Sequence, residues 1–259
     1  MYEDPNRCGD PYRLGAVTSN DHSAFDAYSL LIEADNQRIF YTGDLRAHGR
    51  KARLFDELLA DPPANVDVLI MEGTHVRAGG AYDEATFETE SDLEDRFVTL
   101  CQATSGAVVT FSSMQNLDRL VTVYRAAKRS GRELIVDLYG ATVAAATRPS
   151  IPRPGFDGLR VFVPLRQRIT VKETEEFWRT RQIRGQRVFP EELAEHPERF
   201  AFHVPSSTVR ELIRLNVLDR EGVAVWSLWN GYLRMASGQA LKKLLADHEI
   251  ELAARRSNW

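Results

Sequence analysis

Strand-like and helix-like stretches alternate through most of this chain, with no internal repeat and no low-complexity segment, and that alternation limits the possible folds more than any other feature. It argues for an α/β fold. Early on, residues 27–33 and 38–42 flank Asp35-Asn36-Gln37 as the arms of a hairpin with an Asx-type turn. Residues 51–60 read as a short amphipathic helix stopped by Asp61-Pro62-Pro63. Residues 66–71 then read as a buried strand that delivers Glu72 to its C-terminal end, with Gly79-Gly80 as a linker.

From Phe87 the pattern becomes regular. Leu93, Phe97, Leu100 and Cys101 share one face of a helix whose start is acidic, as the helix dipole favours. Residues 106–111 form the next strand, Leu117, Leu120, Val121 and Tyr124 repeat at helical spacing, and Gly131 stands where a C-cap belongs. A strand over 133–139 follows, then a Pro- and Gly-rich stretch around 151–158. Beyond it, strands at 159–163, 200–204 and 222–229 alternate with helices at 171–180, 207–215 and 239–247. The pattern predicts a Rossmann-like lobe with a parallel sheet.

Composition excludes several classes. Cys8 and Cys101 are the only cysteines, so neither a disulfide framework nor a CxxC site is available, and a reducing, cytoplasmic setting is the default. No apolar run approaches the roughly 20 residues that span a bilayer, and the first residues lack the order of a signal peptide, so no membrane partner is expected. The net charge of −4 points to no polyanion by itself, but residues 119–187 hold fifteen Lys or Arg against six Asp or Glu. That local excess suits either a solvated face or a phosphate-binding surface.

Two strand edges carry metal-capable side chains, at Asp21-His22-Ser23-Ala24-Phe25-Asp26 and at Tyr41-Thr42-Gly43-Asp44. The run His22 to Tyr28, the run Tyr41 to Lys51 with its Thr42-Gly43-Asp44 centre, and Asp67 to Thr74 resemble the metallo-β-lactamase fold hydrolases. They are most similar to the β-CASP, ribonuclease J-like branch. Val109-Thr110-Phe111-Ser112-Ser113-Met114-Gln115-Asn116-Leu117-Asp118-Arg119-Leu120 and Glu133 to Tyr139 are similar to the opening of the β-CASP lobe. The resemblance implies a partial αββα sandwich over residues 1–82, a β-CASP lobe over 83–233, and a helix with a truncated return to the first domain over 234–259. It implies two zinc ions, with His22 and Asp44 as ligands, Asp44 bridging, and Asp26 orienting them. It implies Asp44 and Glu72 as catalytic carboxylates and Ser112, Ser113 and Arg119 as substrate-binding residues. The implied chemistry is hydrolysis of RNA phosphodiesters by a metal-activated water.

The pattern also departs from that family. No His-x-His-x-Asp-His cluster occurs, and no two of the six histidines lie closer than seven residues. Only 21 residues precede His22, which leaves no room for the family's first sheet. The nearest text to a returning Ser-Gly-His-Ala motif is Ser237-Gly238-Gln239-Ala240, with Gln for His. Two ligands do not complete a catalytic zinc, unless His48, His75 or another chain contributes. The hairpin and the 66–71 strand would keep an apolar face without its usual cover, which invites a complementing chain or a second copy. Three readings follow: a zinc-dependent ribonuclease-like hydrolase completed by another chain, a non-catalytic nucleic-acid-binding remnant, and a hydrolase of small esters or thioesters on the same fold.

Overall fold

The computed structural model describes residues 12–18, 28–45, 49–72 and 88–254, the first of these segments as backbone. The chain divides into two compact units, Met1–Glu90 and Ser91–Trp259. The second unit is α/β with a parallel sheet, as the alternation predicts.

The first unit contains a four-stranded sheet in the order β1-β2-β3-β4, formed by Tyr12–Thr18, Ser29–Ala34, Gln37–Tyr41 and Val68–Ile70. β1, β2 and β3 are antiparallel neighbours, and β4 runs parallel to β3. The hairpin of β2 and β3 closes on a two-residue turn in which Asp35 and Asn36 hold φ of 49° and 61°. That left-handed pair matches the twist of the strands, and Asp and Asn tolerate it because their short side chains can bond locally. Helix α1, Ala52–Ala60, makes the crossover to β4. Asp67 secures the far end, since Arg38 N–H donates to its Oδ2 at 2.7 Å and its own N–H donates to the Arg38 carbonyl at 2.8 Å. β4 is an edge strand, and its apolar side chains are not buried: Leu69 is 55% and Ile70 48% exposed. The buried strand read at 66–71 is therefore corrected: Val68, Leu69 and Ile70 are exposed.

The second unit is built on six strands in the order β10-β9-β5-β8-β6-β7, every pair parallel. In chain order these are β5, Val108–Phe111; β6, Glu133–Asp137; β7, Leu159–Phe162; β8, Phe200–Val204; β9, Val223–Trp226; and β10, Glu251–Ala254. β5 and β8 are buried along their whole length, as central parallel strands covered on both faces must be. The helices are α2, Glu90–Ala103; α3, Leu117–Arg129; α4, Leu138–Ala145; α5, Leu165–Glu173; α6, Phe177–Gln182; α7, Pro190–Glu195; α8, Val209–Arg214; and α9, Ala236–Asp247. On one face, Val109, Phe111, Phe202, Val204 and Trp226 pack with Leu193 of α7, Leu212 of α8 and Leu241 of α9. The intervening residues Thr110, His203 and Val225 therefore point to the other face, where α3 packs on β6 and β8.

α3 shows why this lobe is legible from sequence. The Asn116 side chain caps its start by accepting from Arg119 N–H at 3.0 Å, Asp118 lies in its first turn, Lys128 and Arg129 lie in its last, and Gly131 follows with φ of 76°. Next along the chain, the half-charged-looking turn hides a structural tie. Buried Arg132 donates to the carbonyls of Cys101, Thr104, Gly106 and Phe200 at 2.5–3.2 Å. One guanidinium thus joins the end of α2 to the starts of β5 and β8.

Of residues 234–259, expected to return to the first domain, the described part, as far as residue 254, belongs instead to the second unit: α9 packs beside β10, and β10 extends the parallel sheet at β9. The text compared with a histidine motif has a packing role. A Cβ at Gly238 would lie 2.2 Å from the Tyr232 carbonyl, and Gln239 Nε2 donates to the Leu233 carbonyl at 2.7 Å. Among the described residues, no helix is long and apolar enough to cross a membrane.

Candidate functional site

In an open parallel sheet, ligands meet the chain at the carboxyl ends of the strands, where loops carry polar groups toward neighbouring helices. Here β5 ends at Phe111 and hands the chain to Ser112 and Ser113 before α3 begins. β6 ends at Asp137, and β9 ends one residue before Ser227.

These ends carry two buried polar pairs. The Ser112 hydroxyl is hydrogen-bonded to His203 Nε2, and Arg119 Nη1 donates to the Ser227 hydroxyl. His203 sits opposite Thr110 in the β5–β8 register, and the Thr110 Oγ1 beside it is buried without a partner. Burial, with a smaller contribution from the Arg119 charge, pushes His203 down to about 3, so the ring is neutral. A neutral imidazole exchanges one hydrogen bond with a serine without placing a second cation beside Arg119.

At the next strand end, Asp137 caps α4 by accepting from Gly140 N–H at 2.7 Å through Oδ1, and accepts from Gln167 Nε2 at 2.5 Å through Oδ2. Burial raises its carboxyl above the ordinary range, against the pull of those two donors. Sequence reasoning missed His203, Ser227, Asp137 and Gln167; the signal available for the first three was a polar residue in or just past an apolar strand, and Gln167, inside α5, carried none.

The resemblance has Ser112, Ser113 and Arg119 facing a substrate. The structure places Ser112 and Ser113 just past β5 and brings the Arg119 side chain to Ser227 just past β9; Ser112 and Arg119 are buried and only Ser113 is exposed. In the first unit, Asp44 is exposed just after Gly43, whose φ is 63°, and Leu45 N–H donates to Glu72 Oε1 at 3.1 Å. The two turns that carry Asp44 and Glu72 are thereby joined. His22, Asp26, His48, His75 and the Gly79-Gly80 linker lie outside the described residues. Among the described residues, no three His, Cys, Asp or Glu side chains converge so as to hold a metal ion. A catalytic zinc takes three protein ligands, so the described residues alone do not fit the implied zinc pair.

The basic stretch resolves into two populations. Lys128 pairs with Asp157 at 2.6 Å, Arg129 with Asp95 at 2.7 Å, Arg179 with Glu176 at 3.2 Å, and Arg160 with Glu192, while Arg119 and Arg132 are interior. By contrast, Arg166, Lys172, Arg181 and Arg184 are exposed and have no carboxylate partner among the described residues. They share residues 165–189 with three exposed aromatic rings, Phe177, Trp178 and Phe189, each about half exposed. The Arg187 guanidinium lies 4.8 Å from the Phe189 ring centroid.

No family model and no curated protein matches the chain. Among solved structures, the crystal structure of a protein of unknown function from Enterococcus faecalis V583 superposes with a TM-score of 0.69 at 15% identity. The match covers 98% of this chain and 54% of that one, so this chain spans about half the length of that protein. A likeness at such identity establishes a shared fold.

Proposed function

We propose that this chain binds single-stranded nucleic acid through residues 165–189 of its second unit. One observation carries the reading: four exposed cations without carboxylate partners among the described residues lie there with three half-exposed aromatic rings. Polyanion affinity comes from phosphates neutralised by Lys and Arg. Discrimination for single strands comes from aromatic faces on which unpaired bases stack. Ion-paired arginines elsewhere in the basic stretch contribute little to such a surface, because their charge is already compensated.

The finer fold reading that accompanies this proposal is a partial metallo-β-lactamase sandwich followed by a β-CASP lobe. It is supported by the order of the resembling motifs and by the parallel-sheet unit that follows them. A second functional reading, metal-dependent RNA hydrolysis with material supplied by another chain, is favoured by the hydrogen bond that joins the Asp44 turn to Glu72.

Fluorescence anisotropy with a labelled RNA of about 15 nucleotides, single-stranded and as a duplex, tests the proposal. Single-strand binding should weaken as salt rises, and Lys172→Ala should lower the log–log salt slope by about 0.7. Trp178→Ala should cost about 1–3 kcal/mol of affinity. Equal binding to the duplex, or indifference to Trp178→Ala, refutes the assignment. Retained zinc after dialysis, with cleavage lost on adding a chelator and on Asp44→Ala, would establish the second reading.

A further inference from the structure

Because every strand pair of the second unit is parallel, the carboxyl ends of its strands lie along one edge of the sheet. The surface at 165–189 begins on that edge. α5 starts just past the end of β7, and Gln167 reaches from it to Asp137 at the end of β6. From β7 toward β9, the same edge exposes Tyr139 past β6, Ser207 past β8, Ser113 and Gln115 past β5, and Trp229 past β9. Gln115 Nε2 donates to the Tyr139 hydroxyl at 3.5 Å, which joins two of these turns. β7 and β9 stand four strand spacings apart in the sheet, a span of about 19 Å.

Trp229 is an exposed ring that the fold holds still. A Cβ at Gly231 would lie 2.2 Å from the indole, so the ring rests on that glycine, and the Tyr232 ring packs edge-on with centroids 5.4 Å apart at 88°. The Trp229 carbonyl accepts from Trp226 Nε1 at 3.4 Å and from Tyr232 N–H at 3.1 Å. The residue is nonetheless 56% exposed. A ring fixed before its ligand arrives loses little freedom on stacking. Arg234 closes the same 3₁₀ turn, Asn230–Arg234, and is exposed with no carboxylate partner among the described residues.

We infer that Trp229 stacks a base of the single strand held at 165–189, the strand running along the carboxyl edge from β7 to β9 with Arg234 at one of its phosphates. This rests on the nucleic-acid reading above and extends it to the far side of the sheet. Single-strand sites cover about 4–16 nucleotides, so one strand serves both ends. A protein partner fits less well. Its interface needs a contiguous apolar core, whereas Ser207, Ser113 and Gln115 separate the exposed rings along this edge.

The test is anisotropy of the full chain with a labelled single-stranded RNA of about 15 nucleotides, and with inorganic polyphosphate as a competitor that has charge but no bases. Trp229→Ala should weaken the RNA about tenfold, keep the melting temperature, and leave the polyphosphate concentration for half-displacement of a labelled polyphosphate unchanged. Arg234→Ala should weaken both probes. In the natural chain, RNA carrying 5-iodouridine should photocrosslink to the peptide containing Trp229, a readout that needs no variant to fold. RNA binding that Trp178→Ala weakens and Trp229→Ala does not, with no crosslink at Trp229, overturns this inference and leaves the 165–189 surface standing. Equal weakening of RNA and polyphosphate by Trp229→Ala also overturns it, since the ring would then act through packing. Absence of RNA binding by the natural chain overturns both.

Discussion

Lowering the pH should destabilise the second unit through His203, with a slope that one substitution removes. An ordinary histidine titrates at 6.5, whereas burial, aided by the Arg119 charge, holds His203 down at about 3 in the folded chain. The sign follows from which state takes the proton first. As pH falls below 6.5 the unfolded chain binds a proton that the native chain refuses, so the stability this group contributes is complete above that value. It drains away as pH falls toward 3. Between pH of about 7 and about 5, most carboxylates stay ionised and the histidine alone should cost about 2 kcal/mol. For a unit of this size that is about 4–8 °C in melting temperature. The perturbation is His203→Gln, which keeps a polar tip for the Ser112 hydroxyl and cannot charge. Melting followed by circular dichroism at both pH values, for the natural chain and the variant, isolates the effect because the carboxylates are common to both. The variant should start slightly less stable at neutral pH and lose several degrees less on acidification. Parallel losses in the two proteins would refute a buried, neutral His203.

Arg132 should prove indispensable despite its position in a polar turn. Arg132→Lys keeps the charge, yet one ammonium cannot reach four carbonyls contributed by α2, β5 and β8. A loss of about 3–5 kcal/mol is expected in urea unfolding, and a loss under about 1 kcal/mol would show that the four bonds do not hold those elements together. In the first unit, Leu69→Lys should change stability by no more than about 0.5 kcal/mol, since Leu69 is 55% exposed; a cost of several kcal/mol in thermal melts would restore the buried strand that the sequence suggests. Gly238→Ala should destabilise by about 1–3 kcal/mol, because the added carbon would lie against the Tyr232 carbonyl and the Leu233 backbone; an unchanged melting temperature would show that α9 can shift away.

How much of this fold the sequence discloses depends on how far apart the determining partners lie. Asn116, Asp118, Lys128, Arg129 and Gly131 specify α3 from within its own length, and the predicted helix is found there. The same local logic fails for α4. Leu138 and Tyr139 read as the end of a strand, but the Asp137 carboxylate captures Gly140 N–H and starts a helix instead. β4 fails for another reason: Val68, Leu69 and Ile70 are as apolar as any core strand, and apolarity states what can be buried without stating what covers it. The candidate site follows the same rule. Ser112 and Arg119 stand out near the end of β5, yet their partners His203 and Ser227 lie 91 and 108 residues further along. Only the parallel register of β5 with β8 and β9 brings them together. Charge is subject to it as well. The excess in 119–187 is countable in the sequence, but Lys128 finds Asp157, and Arg160 finds Glu192, only across the folded surface. What remains after that pairing, around Trp178, is the charge on which the proposed polyanion surface rests, so the sequence count overstates what folding leaves uncompensated.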